Sequence, residues 1–478
     1  MKNKSKRITA LLFAAIMLVS AAGCKKSNTS SLSDEIEYVY VDGDGSTVSG
    51  GSGSSGSTVS GGGKTGKSGA ASGSSSTSKP GKTETVNDGV DPSKYKNKTV
   101  IYATWRDPKL NEDKATVENF TKKYGIKVKT DLISEGGYIQ TVIGRIAAGN
   151  APDVFFCTYA WPACLNALQP IDAAKLNLNE SIWDQSLIKD TTVNGKKYLV
   201  NTVSNIWNDF DMVFYNKKIF KQHGITTPEQ YVKQGKWTFD ALKKCMQEVD
   251  AKGDNYIGGI LNYEGIVAST GEGILKMNNG KFTYNYTDKL AEVVKWVAEG
   301  KKSGYIGGTD ASYGQEQFKK GNVGILTGFS WCLKKTGGLS GMNPNDIGFV
   351  EMPSWDAGSK AVPATFVRGW GICRGAKNPV AAGIFLRYYL DVNNYDATSA
   401  FINSEASKFF FNVSSKNTDK TNRYYVYGGG VGSVTSAFNG YYSVTDMNPS
   451  QVDTYFSTNK NTFNAGVAAL NDVLAKAE

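Results

Sequence analysis

Histidine is almost missing: His223 is the single one in 478 residues. A Ser/His/Asp or Cys/His nucleophile site would have to use it. Its place one residue before Gly224, at a predicted helix end, instead suits a structural role, because a cation complements the dipole there. Cysteine is scarce, six residues without a Cys-x-x-Cys pair or a Cys/His cluster, so no zinc site is encoded. Nothing after residue 23 is apolar for long enough to cross a bilayer. A dense Lys/Arg block is also absent. The formal charge is +10, of which the part up to Tyr95 supplies 11 basic minus 8 acidic residues, or +3, leaving +7 interspersed over the remainder. Nucleic acid is therefore not an expected partner. No segment argues for paired catalytic carboxylates, and no cofactor or metal is expected.

The chain opens with Lys2, Lys4, Lys6 and Arg7, an apolar run from Ile8 to Val19, and Ser20-Ala21-Ala22-Gly23-Cys24. A basic, apolar, small-residue series ending at cysteine reads as a lipoprotein export signal over residues 1–23. Cys24 is then the expected lipid attachment site and first mature residue. Residues 24–95 are dominated by Gly, Ser, Thr and Lys, a composition that cannot bury a core. About 70 such residues have an end-to-end distance on the order of 45 Å, the dimension of a tether. Gly61 to Ser68 formally satisfies the phosphate-loop pattern, but Gly/Ser chain flanks it where a strand and a helix are required, so it is set aside. Cys24 apart, five cysteines remain; buried thiols are expected, with one disulfide permitted by export.

From Lys96 the pattern becomes regular. Strand-like Thr99–Ala103, a helix carrying Val117, Phe120 and Tyr124 on one face, strand-like Ile126–Leu132, a helix over 138–148 and the apolar run Val154–Cys157 alternate. That order implies right-handed crossovers and a parallel sheet. The alternation returns with a strand at Met212–Tyr215, a helix closed by Gly224, a helix capped by Thr238, a helix over 289–299, a strand at Val323–Leu326 and a helix over 379–390. The fold class is α/β, as two sheets. Asp153 reads as structural. The tyrosine pairs at 388–389, 424–425 and 441–442 read as packing rather than as ferric-ion ligands.

Several segments, in order, resemble family 1 extracellular solute-binding proteins, the receptors of ATP-driven sugar importers. They are Gly149-Asn150-Ala151-Pro152-Asp153-Val154, Leu168-Gln169-Pro170-Ile171-Asp172, Gly195-Lys196-Lys197-Tyr198, Tyr215-Asn216-Lys217-Lys218-Ile219-Phe220, Trp237-Thr238-Phe239-Asp240-Ala241-Leu242, Gly328-Phe329-Ser330-Trp331 and Lys377-Asn378-Pro379. The stretch after Phe401 carries no such motif. The resemblance implies a two-lobed periplasmic-binding-protein-like fold of type II. Residues 96–205 with 354–400 would form one lobe and 206–353 with 401–478 the other, hinged near Asn205, Pro353 and Phe401. It implies a monomer that captures a mono- or oligosaccharide without catalysis and hands it to ABC permease subunits. The expected location is the outer face of the cytoplasmic membrane, in a Gram-positive-type envelope. A surface glycoside hydrolase and a polysaccharide-binding lectin are the competing classes.

In open parallel sheets ligands lie beyond the carboxyl ends of the strands. Trp105, Tyr159, Trp161, Trp331 and Trp370 are read as following strands, with Trp207 near the hinge. An indole covers the C–H face of a pyranose, while charged or amide partners take its hydroxyls. Arg106, Asp107, Asn208, Asp209, Glu264 and Arg368 are the candidates for that edge.

Overall fold

The computed structural model describes residues 89–106, 114–134, 137–158, 161–205, 209–391, 394, 397–416, 421–425, 436–438 and 440–476. The export signal, Cys24, the Gly/Ser segment with Gly61–Ser68, and Asp107, Tyr159, Trp207 and Asn208 lie outside the described residues.

The first elements are β1 (Thr99–Thr104), α1 (Lys114–Tyr124), β2 (Lys127–Leu132), α2 (Tyr138–Ala147), β3 (Val154–Thr158), β4 (Leu168–Gln169) and α3 (Gln185–Asp190). Then come β5 (Asp211–Asn216), α4 (Lys217–His223), α5 (Phe239–Asp250), β6 (Ile257–Ile260), α6 (Tyr263–Ser269) and the hairpin β7 (Leu275–Asn278) and β8 (Lys281–Tyr284). These are followed by α7 (Asp288–Lys302), β9 (Ile306–Gly308), α8 (Ala311–Lys319), β10 (Val323–Phe329), β11 (Ile347–Glu351), β12 (Ala364–Phe366), β13 (Arg368–Cys373) and α9 (Pro379–Tyr389). Beyond the last motif lie α10 (Ser404–Lys416), β14 (Asn422–Tyr424) and the 24-residue α11 (Val452–Ala475).

Two five-stranded sheets form, ordered β2-β1-β3-β13-β4 and β9-β6-β10-β5-β11. β1 runs parallel to β2 and β3, as the strand-helix alternation requires, and β13 returns antiparallel beside β3. In the second sheet β6 is parallel to β9 and β10, while β5 is antiparallel to β10 and β11. A short parallel pair, β12 with β14, stands apart from both.

Local chemistry explains the boundaries. The Asn216 side chain accepts from the amides of Lys218 (3.0 Å) and Ile219 (3.3 Å), opening α4, and Gly224 closes it at φ +62°. Thr238 Oγ1 accepts from the Ala241 amide at 3.3 Å and opens α5. Asp153 is structural, as expected: 1% exposed, it accepts from the amides of Ile101 (2.9 Å) and Asn378 (2.8 Å), joining β1 to the start of α9. His223 ends α4 edge-on to Tyr256.

Packing follows strand periodicity. Successive β5 side chains point to opposite faces, Met212 and Phe214 into one core with Leu326, and Val213 and Tyr215 into another with Leu242 and Met246. Both faces are covered, so the strand reads as an unbroken apolar run. In the first sheet, Val100, Tyr102, Val154 and Trp370 meet Phe120 of α1 and Phe385 of α9. Asn471 of α11 exchanges two hydrogen bonds with the Phe282 backbone (2.7 and 2.9 Å), fastening α11 to the hairpin. Among the described residues no helix is long and apolar enough to cross a membrane, and no cluster of His, Cys, Asp and Glu is set to hold a metal ion.

Candidate functional site

At the carboxyl end of β1, the Trp105 indole stacks on Phe156 at 5.3 Å and meets Tyr138 edge-on at 4.9 Å. Phe156 in turn stacks on Trp370 at 4.2 Å. The three rings run from the core to the strand end, and only Trp105 keeps an exposed portion.

The structure corrects the expectation for Trp370. It follows β12, as expected, but lies within the next strand, β13, is 1% exposed, and donates its indole N–H to the Tyr102 hydroxyl at 3.1 Å. It supports the stack from below and offers no face to a ligand. Trp161 is corrected in part: 4% exposed and packed near Tyr198, it has no free ring face, yet its Nε1–H has no partner among the described residues. Trp331 sits in the turn after β10, half-buried beside the core that contains Phe210 and Leu333.

The charged candidates converge more closely than the aromatics. Asp209 is 1% exposed, ion-paired with Lys334 at 3.3 Å and with the Arg368 guanidinium, and accepts from the Ser330 hydroxyl at 3.3 Å. Deeply buried, it serves these cations rather than a solvent-borne hydroxyl, which corrects its direct-contact role. Burial pushes the Lys334 ammonium down to about 8, against the raising effect of Asp209; the charges of Arg368 and Arg106 push the same way as burial. Arg106 thus shares a field with Lys334 and Arg368. The Arg368 side chain, 10% exposed, lies over the Phe366 ring at 4.3 Å.

A second group lies at the carboxyl end of β6. Asp211 accepts from Asn262 Nδ2 (2.6 Å) and the Tyr424 hydroxyl (2.8 Å), and burial lifts its carboxyl to about 7 against those two bonds. Glu264, in the first turn of α6, is half-buried. Burial raises its carboxyl, a hydrogen bond from Tyr442 opposes that, and the Asp310 charge adds to it. Asp310 caps α8 by accepting from the Tyr313 amide at 2.9 Å, and the Tyr313 ring is 50% exposed.

The structure therefore brings Asp209 and Arg368 together, sets Arg106 in the field of Lys334 and Glu264 in the field of Asp211, and leaves Trp105 and Trp331 as partly open rings. Sequence reasoning missed Lys334, Asp211, Asn262, Asp310 and Tyr313, and read Tyr424 and Tyr442 as packing only. For Asp211 a signal existed, a carboxylate opening an otherwise apolar strand. Asp310, three residues before Tyr313 at a helix start, carries a local cap signal; the rest have none, since their partners are distant in sequence.

The model of the family described as bacterial extracellular solute-binding protein matches residues 95–392, more than half of the chain. The chain belongs to that family. No curated protein matches it. Solved structures of similar fold include the cyclic α-maltosyl-1,6-maltose binding protein of Arthrobacter globiformis, with 15% identity, TM-score 0.57, and coverage of 79% of this chain and 99% of that one. An ABC substrate-binding protein of Listeria monocytogenes in complex with cycloalternan has 17% identity, TM-score 0.56, and coverage of 78% and 100%. The galacto-N-biose/lacto-N-biose I-binding protein of Bifidobacterium longum, in complex with lacto-N-biose, has 17% identity, TM-score 0.56, and coverage of 78% and 98%. The family solute-binding protein thus has the two-lobed periplasmic-binding-protein-like fold, and the family is an extracellular one.

Proposed function

We propose that this solute-binding protein captures a saccharide between its two lobes and delivers it to the permease of an ABC importer, binding without catalysis. The stack that ends in Trp105 carries the reading: a partly exposed indole, backed by two buried rings, sits beside Arg106 at the carboxyl end of a parallel strand. Such an indole covers the apolar face of a pyranose, while Arg106, Arg368 and Glu264 take its hydroxyls. Three saccharide-binding proteins of similar fold support the ligand class.

The lobes are read as residues 96–205 with 354–400, and 206–353 with 401–478. The sheets support this division, because the strands of the first come only from residues 99–169 and 368–373. A ligand touching both lobes stabilises the closed form by its differential affinity, and the permease reads closure. The chain is held at the outer face of the cytoplasmic membrane by lipid on Cys24, with residues 25–95 as tether. Trp331, Tyr159, Asp107 and Trp207 complete the proposed set of ligand residues.

The test is a thermal-shift and tryptophan-fluorescence screen of residues 89–478 against maltose, mannotriose, lacto-N-biose, cycloalternan and uronic acids. A saccharide that raises the melting temperature and changes emission supports the reading. A response to peptides or metal ions alone overturns it, as does release of product from a bound saccharide.

A further inference from the structure

The family match ends at residue 392, yet three side chains from beyond it reach the candidate site and its surroundings. Arg423 and Tyr424 are neighbours on β14, which pairs in parallel with β12 just before β13 enters the first sheet. The Tyr424 hydroxyl donates to Asp211 Oδ2 at 2.8 Å, on the first residue of β5 in the second sheet. Asp211 Oδ1 accepts from Asn262 Nδ2 at 2.6 Å, and Asn262 immediately precedes α6. The helix is seated on this carboxylate: a Cβ on Gly265 would lie 2.4 Å from Asp211 Oδ1, so only glycine permits the approach. The Asn262 amide donates to Thr327 Oγ1 at 2.6 Å, tying the same turn to β10.

Arg423 reaches the other way. It donates to Asp184 Oδ2 (2.5 Å), Ser186 Oγ (2.7 Å) and Asp190 Oδ2 (3.4 Å), all on or capping α3. Its side chain is 3% exposed and that of Asp184 5%. Leu187 of α3 is a near neighbour of Gly369 in β13, so this end belongs with the first sheet. Tyr442, also beyond the family match, lies edge-on to Tyr263 of α6 at 6.4 Å, where its hydroxyl lowers the carboxyl of the adjacent Glu264 by hydrogen bonding.

We infer that the segment after residue 392 completes the ligand site: Tyr424 and Tyr442 are positioning residues that hold α6 and its Glu264, while Arg423 ties the same strand to α3. This rests on the proposed role of Glu264 in ligand binding. Tyr424 acts through Asp211, fixing the turn from which Glu264 projects, and Tyr442 fixes the carboxylate directly. A saccharide then meets a prepositioned acceptor and does not have to order it, which lowers the cost of binding.

The test compares wild type with Tyr424→Phe and Tyr442→Phe, with Tyr425→Phe as control, in residues 89–478. The probe is whichever of maltose, mannotriose, lacto-N-biose and cycloalternan wild type binds most tightly. Hydrogen–deuterium exchange over 262–269 is read without ligand, affinity by calorimetry. Loss of one hydrogen bond to a buried carboxylate predicts about tenfold weaker binding for Tyr424→Phe, with faster exchange over 262–269. Tyr442→Phe weakens binding to a similar extent, and Tyr425→Phe leaves affinity unchanged. Unchanged exchange in Tyr424→Phe overturns the inference, as does faster exchange with wild-type affinity in both variants. If wild type binds no saccharide while exchange rises in Tyr424→Phe, the positioning role stands and the saccharide reading fails.

Discussion

Replacing Asp209 by Asn tests how the cations at the site are compensated. The Asp209 and Lys334 side chains are each 1% exposed and 3.3 Å apart, and the Arg368 guanidinium pairs with the same carboxylate. The substitution keeps shape and removes charge, leaving a buried ammonium with its main counter-ion gone. Breaking a buried pair in this way costs about 3–5 kcal/mol. At about 2 °C per kcal/mol for a domain of this size, the melting temperature falls by about 6–10 °C at pH 7. The penalty depends on pH in a fixed direction. Burial holds the Lys334 ammonium at about 8, below its ordinary 10.5. Between those values the unfolded chain keeps a proton that the folded one has released, so stability gained from this group rises with pH. Asp209 opposes that depression, so its loss extends the window below 8 and the deficit against wild type shrinks as pH rises. Asp209→Asn/Lys334→Met removes both charges and recovers most of the loss. Calorimetric melting from pH 6 to 10 reads all of this. A single variant that loses under about 1 kcal/mol, or a double variant no better than the single, would refute the reasoning.

Trp370→Ala empties the core beneath Phe156 and costs about 3–5 kcal/mol, read by chemical denaturation; a loss under about 1 kcal/mol would mean that the ring is not core. Cys157, Cys164, Cys245, Cys332 and Cys373 are all buried. Alkylation followed by mass spectrometry is expected to label them only after unfolding, and rapid labelling of the native protein would contradict that burial. The Cys157 and Cys164 sulfurs lie 3.2 Å apart, so these two are the ones to monitor for oxidation.

Much of the fold is legible because local and global preferences agree. Val154–Cys157 is buried at every position, as its unbroken apolar run requires, the cap at Thr238 falls at the observed helix start, and Gly224 at the observed helix end. The reading failed where tertiary packing overrides a local signal. Trp370 reads as a residue just beyond a strand, yet Gly369-Trp370-Gly371 lies within β13. A Cβ on Gly371 would sit 2.7 Å from Leu168 Cδ2, so the glycine is there for close packing and not for a turn. The strand before Trp370 is legible; β13, which begins two residues ahead of it and buries it, is not. The stretch after Phe401 was illegible for a different reason. Arg423 and Tyr424 find Asp184 and Asp211 more than 200 positions earlier, and no local pattern encodes such a pairing.

Calorimetric titration of residues 89–478 and of Trp105→Ala with the same saccharide panel decides whether the Trp105 stack is a sugar platform. One saccharide binding wild type at a single site, about 10–100-fold more weakly in the variant at a temperature where both proteins are fully folded, is the expected result. Equal affinity in both proteins, or no saccharide bound by wild type, would contradict it.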